Sequence, residues 1–126
     1  AYYHLGRGLL AMGRVEEARQ AFETMVEQDP DFGARNIGMT QYYLAAGDYD
    51  EALATIKRDA ARDTMMVQFY RSAVLAALGQ TDTALEELEA LLDKGFRDFV
   101  TLEASPYFAE LRVDPRYQAL IDRFKS

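Results

Sequence analysis

The sequence predicts an all-α fold of three helix hairpins in series, followed by a short helical segment. Three observations predict it. Gly13, Gly47 and Gly79 lie 34 and 32 residues apart, each between two apolar stretches of helical period, and self-similarity at such a spacing marks a repeat architecture. In the register of those glycines, Ala18, Ala52 and Ala84 share one column and Phe22, Ile56 and Leu88 another, while Leu9, Tyr43 and Leu75 align upstream. No segment alternates apolar and polar residues as a strand does.

The first hairpin is expected to pair helices over Ala1–Met12 and Val15–Gln28. Gly13 suits the left-handed residue that ends a helix, where a Cβ would cost about 1 kcal/mol. Asp29-Pro30 closes this unit. The second hairpin is expected over Phe32–Ala46 and Tyr49–Arg62, with Gly47 as the stop and Asp48 followed by Glu51 at the spacing of a capping box. The third covers Thr64–Leu78 and Thr81–Lys94 around Gly79. Gly6, Thr40 and Ser72 are expected to meet Ala18, Ala52 and Ala84, because antiparallel helices approach to about 8 Å only through small side chains.

Beyond Gly95 the pattern changes. Ser105-Pro106 and Asp114-Pro115 each place a capping side chain before a first-turn proline. They predict short helices near Phe99–Ala104, Pro106–Arg112 and Pro115–Phe124. This segment holds 6 of the chain's 15 aromatic residues, more than a solvated terminus needs. It is therefore expected to pack on the Thr81–Lys94 helix as a cap, with Leu111, Tyr117 and Leu120 inward, covering the apolar stripe a repeat array leaves on its last helix. The rival expectation is that the tail, with a net +1 over residues 94–126 against −8 for residues 1–93, folds back as an internal ligand.

Composition removes several functional classes. With 14 Lys+Arg against 21 Asp+Glu and a net charge of −7, the chain opposes nucleic acid, whose binding rests on basic side chains. The absence of cysteine excludes disulfides, thiolate metal sites and a cysteine nucleophile. His4 is the one histidine and reads as a surface or groove residue rather than a ligand. Gly6-x-Gly8 lies inside a helix without a preceding strand, so it is not a dinucleotide loop. No serine sits in a nucleophile elbow. No metal, cofactor or catalytic constellation is expected, and the chain is read as a non-enzyme. Apolar runs fall far below the roughly 20 residues that span a bilayer, and a cytoplasmic location is the expectation. Ala1 opens in the middle of an apolar pattern, which predicts a part of a longer chain.

Tyr2-x2-Leu5-Gly6-x2-Leu9, Ala18-x3-Phe22 and Pro30 resemble the tetratricopeptide repeat signature, with Tyr2 in place of its tryptophan and Leu9 in place of its tyrosine. The second unit keeps Tyr43, Gly47, Ala52 and Ile56 but has Asn36 at the first aromatic column. The third departs further, with Gln68 and Arg71 where large apolar residues are usual. The resemblance implies a right-handed α-α superhelix of about three repeats, near residues 1–31, 32–63 and 64–95, with 96–126 as the cap. The segment from Phe108 to Leu120 looks like the closing segment of bacterial multi-domain tetratricopeptide proteins.

In the resembled fold the first helices of successive repeats line a concave groove. Carrying its columns across gives Tyr3, Arg7 and Leu10, then Ala34, Ile37, Gln41 and Leu44, then Met66, Phe69, Tyr70, Ala73 and Ala76. The implied function is a scaffold that binds a peptide or partner domain in this largely apolar groove. The expected contacts are Tyr3, Arg7, Ile37, Gln41, Met66, Phe69 and Tyr70, with Tyr3, Phe69 and Tyr70 as anchors. Chaperone-binding members grip a C-terminal carboxylate through columns that hold Tyr3, Arg7, Gly38, Met66 and Tyr70 here. Only Arg7 is cationic, so that clamp is absent. The alternative is a C-terminal regulatory or oligomerisation module of a larger bacterial signalling protein (kinase, cyclase or transcription regulator), its groove filled by its own tail or by a homo-oligomer mate.

Overall fold

The computed structural model describes residues 2–28, 35–58 and 64–125. Its helices are α1 (Tyr2–Ala11), α2 (Val15–Gln28), α3 (Arg35–Ala46), α4 (Tyr49–Lys57), α5 (Met65–Ala77), α6 (Thr81–Asp93), α7 (Phe99–Ala104), α8 (Ala109–Arg112) and α9 (Pro115–Lys125), with a 3-10 turn at Pro106–Phe108 between α7 and α8. No strand occurs among the described residues. The fold is all-α, built of adjacent hairpins that pair α1 with α2, α3 with α4 and α5 with α6. Two units divide the chain, Ala1–Arg62 and Asp63–Ser126. Phe32, Ala34, Asp29, Pro30 and Arg62, all named in the sequence reading, lie outside the described residues.

The glycines end their helices for the expected reason. Gly13, Gly47 and Gly79 have φ of 76°, 79° and 78°, and the following N–H turns back five residues: Arg14 to the Leu9 carbonyl at 2.8 Å, Asp48 to Tyr43 at 2.9 Å, Gln80 to Leu75 at 3.0 Å. This bond satisfies a carbonyl that the ended helix would leave open. Gly95 repeats the device, with φ of 108° and Phe96 N–H reaching Leu91. The same stop therefore closes the last long helix.

Caps are less regular. Asp48 makes no side-chain cap on α4, against the capping-box expectation. Thr64, at an extended ψ of 160°, does cap α5 by accepting from Val67 N–H. Ser105 likewise makes no side-chain cap; its carbonyl instead accepts from the Arg112 guanidinium at 2.7 Å. Asp114 caps α9 as expected, accepting from Arg116 N–H at 2.9 Å. Asp98 caps α7 through Thr101 N–H at 3.1 Å.

In the N-terminal unit the core centres on Phe22, which is fully buried with Ala18, Thr40, Ala52 and Ile56. A Cβ at Gly6 would lie 2.4 Å from the Phe22 ring, and one at Gly38 would lie 2.8 Å from it. Gly6 thus opens space for an aromatic ring, where the sequence suggested an approach to Ala18. Leu5, aligned with the signature's core leucine, is 52% exposed.

In the C-terminal unit α9 packs on α6, and the 3-10 turn and α8 pack on α5. Leu88, Leu91, Leu92, Leu102, Phe108, Leu111, Tyr117 and Ile121 are buried there. Arg112 fixes the chain between α7 and α8 by donating to the Leu102 and Ser105 carbonyls. Arg71, at a column where an apolar residue is usual, meets Glu87 of α6 at 3.1 Å. An ion pair across the hairpin replaces apolar packing at that position. Gln68 is 4% exposed, and its Oε1 finds no hydrogen-bond partner among the described residues.

Candidate functional site

Four expected contacts lie in the N-terminal unit, on the first helices of its two hairpins. Tyr3 and Arg7 are one turn apart on α1, so helical spacing sets them on one face. The Arg7 guanidinium lies over the Tyr3 ring, 5.7 Å from its centroid. The His4 ring meets the same ring edge-on at 5.5 Å. From α3, the Gln41 amide donates to the Tyr3 hydroxyl at 3.0 Å, tying the two first helices together through side chains. Tyr3 is only 7% exposed, and its ring leans on Phe22 at 6.3 Å. Ile37 is buried, as is Leu44, while Leu10 is half-buried. The exposed members of this face are thus Arg7 and His4, with Gln41 half-exposed and Tyr3 and Ile37 below them as floor.

The other three lie on α5 in the C-terminal unit. Met66 is 45% exposed. Phe69 is half-buried, its ring 5.7 Å from Phe96, 5.6 Å from Phe108 and 5.2 Å from Tyr70. Two aromatics from the closing segment therefore cover part of the α5 face. Sequence reasoning placed Phe69 in an open groove, because helical period shows which face a residue occupies and not what a segment 27 to 39 residues later lays on it. Ala73 and Ala76 on the same helix are buried.

A cleft of about 420 Å³ opens on another aspect of the first hairpin, lined by Tyr2, Leu5 and Leu9 of α1 with Arg14, Glu17 and Gln20 among its other walls. None of the expected contacts lines it. Tyr2, Leu5 and Leu9 sit at the spacing of a core stripe, so no sequence signal distinguishes this exposed face from a buried one. A second concavity, about 310 Å³, lies between α6 and α9 and is lined by Asp82, Glu86, Glu89 and Arg116 with Leu85 and Leu120. Arg116 meets Asp82 at 2.7 Å, and Arg123 meets Glu89 at 3.7 Å, so these charges clasp α9 to α6.

No group of three His, Asp or Glu side chains capable of holding a metal occurs among the described residues. The clearest large pKa displacement of an inward group belongs to Tyr117, whose phenol is pushed up to about 12, chiefly by burial and then by the nearby Glu103 carboxylate. Tyr117 is a packing residue, 1% exposed. Chemically, the faces described offer a guanidinium, an amide and aromatic surface: recognition groups rather than a proton-transfer pair. No helix is long and apolar enough to cross a membrane among the described residues.

Two family models, both described as tetratricopeptide repeat, match residues 9–65 and 65–90. Neither a curated relative nor a solved structure matches the chain.

Proposed function

Because the chain belongs to the tetratricopeptide repeat family, whose repeats generally mediate protein–protein interaction, we propose that it is a binding scaffold whose partner, a peptide or a partner domain, lies along the faces of its first helices. Tyr3, Arg7, Ile37 and Gln41 contribute from the N-terminal unit, and Met66, Phe69 and Tyr70 from the C-terminal one. Three repeats carry the scaffold, and residues 96–126 complete it. The observation that carries this reading is the Gln41–Tyr3–Arg7 constellation. A hydrogen bond and a cation over a ring, drawn from two consecutive first helices, hold polar recognition groups in place over a buried apolar floor, and such preorganisation lowers the entropy lost on binding. Selection of peptides from a displayed random library against the immobilised chain tests it. Selected peptides should lose at least tenfold in affinity when Arg7 and Gln41 are both replaced by alanine. Unchanged affinity in the double variant would overturn the assignment of this face.

A regulatory or oligomerisation module of a larger signalling protein is the second reading. The packing of Phe96 and Phe108 on Phe69 favours it, since part of one first-helix face is covered by the chain's own tail. Sedimentation equilibrium tests its oligomeric form: a concentration-dependent dimer supports the module, and a monomer at all concentrations excludes a groove filled by a second copy.

A further inference from the structure

The charges of this chain are sorted by helix. The first helices of the hairpins, α1, α3 and α5, contain no Asp or Glu at all, whereas the second helices carry four on α2, two on α4 and five on α6. In a protein of net charge −7, a carboxylate-free α1 and α3 make the binding face proposed above the least acidic part of the N-terminal unit.

Arg7 sharpens that contrast. On the same hairpin Arg14 meets Glu17 at 2.8 Å and Arg19 meets Glu16 at 2.8 Å, so those cations and most of the α2 carboxylates neutralise one another. Arg7 has neither a hydrogen bond nor an ion pair among the described residues, and rests only on the Tyr3 ring. Arg7 is exposed, so its forked N–H donors are open to solvent, and that fork matches a carboxylate. Gln41 uses one amide N–H on Tyr3, so its carbonyl oxygen and second N–H remain for a peptide backbone.

We propose that the α1/α3 face binds a peptide with acidic side chains set among apolar ones, its carboxylate on Arg7, its backbone on Gln41 and its apolar side chains over the α1/α3 floor. This rests on the reading that this face is the binding surface. The overall negative charge does not forbid it. At physiological salt the Debye length is about 8 Å, shorter than the roughly 10 Å thickness of the helix that separates this face from the outer carboxylates. The nearest strong charge then decides, and it is Arg7.

The test uses three fluorescein-labelled dodecapeptides in which leucine alternates with glutamate, glutamine or lysine, titrated with the full chain and read by fluorescence anisotropy. The expected result is that the glutamate peptide binds at least fivefold more tightly than the glutamine peptide at 50 mM NaCl. That advantage should shrink at 500 mM NaCl and vanish in Arg7→Gln. Arg7→Lys, which keeps the charge but loses the fork, should retain part of it. Circular dichroism establishes that the variants fold. Glutamine or lysine peptides that bind as tightly, with Gln41→Ala weakening them, would overturn the acidic preference and leave the face intact. Failure of all three to bind, or binding indifferent to both Arg7→Gln and Gln41→Ala, would overturn the preference and the face together.

Discussion

Replacing Gly6 by alanine adds one methyl group to α1 where there is no room for it. The new Cβ would lie 2.4 Å from Phe22 Cε1, 2.5 Å from Cζ and 2.8 Å from Cδ1, whereas carbon atoms rest at about 3.5–4.0 Å. The ring must therefore move by more than about 1 Å, and Gly38 already bounds it on α3, where a Cβ would lie 2.8 Å from Cδ1. Overpacking of this kind costs about 1–3 kcal/mol. Alanine gains about 1 kcal/mol of helix propensity over glycine, so the net loss is about 1 kcal/mol at the centre of that range. Gly8, two residues along the same helix, is the control: a Cβ there meets nothing within 4 Å, so Gly8→Ala should stabilise by up to about 1 kcal/mol. Urea unfolding followed by circular dichroism reads both. With an m-value of about 1–3 kcal/mol/M, the two midpoints should move in opposite directions and differ by about 1 M. Gly6→Ala combined with Phe22→Leu should recover part of the loss, since the two sites share one contact. Equal shifts for Gly6→Ala and Gly8→Ala would refute the ring-on-glycine packing.

Gln68→Met keeps the volume and removes a buried carbonyl that lacks a partner among the described residues, so it should raise stability by about 1 kcal/mol; a lowered melting temperature would show that Gln68 is satisfied. Arg71→Met should destabilise more than the double change with Glu87→Met, because the single change strands a half-buried carboxylate; a double variant as weak as the single would refute this. Tyr117 has a folded pKa of about 12 against an ordinary 10, so its contribution is fully present below pH 10 and is lost as pH rises from 10 to 12. That loss should be about 2–3 kcal/mol in the native chain and absent in Tyr117→Phe; parallel stability curves above pH 10 would contradict the burial. Ending the chain after Lys94 removes the cover from Leu88, Leu91 and Leu92, all buried, and should give aggregation or a lowered melting midpoint. A soluble fragment with the parental midpoint would refute the cap.

The helices were legible because their ends are set by local chemistry. A residue at φ near 78° with its neighbour's N–H turned back five residues strongly favours glycine, and Asp114-Pro115 starts α9 as that pair does elsewhere. The site was legible only as a set of faces. Tyr3 and Ile37 stand at the same spacing whether they form a floor or a contact, and burial decides it. The cover on Phe69 comes from residues distant in sequence, which periodicity does not register. Asp48 and Ser105 have capping side chains in capping positions, yet neither makes the bond, whereas Asp98 does at nearly the backbone angles of Asp48; neither residue type nor backbone angle alone makes the cap. Arg71 looked like a flaw in the third repeat until Glu87, 16 positions later, supplied its counter-charge.

The most direct measurement of the central claim is a nitrogen–proton correlation spectrum of the isotope-labelled chain, titrated with the leucine–glutamate dodecapeptide. A partner lying along the first helices should shift the amides around Arg7 on α1 and Gln41 on α3, together with the Gln41 side-chain amide signals, while those of α2 and α4 stay within half the mean shift. Perturbations confined to the second helices, or gathered around Leu5 and Arg14 in the outer cleft, would contradict it.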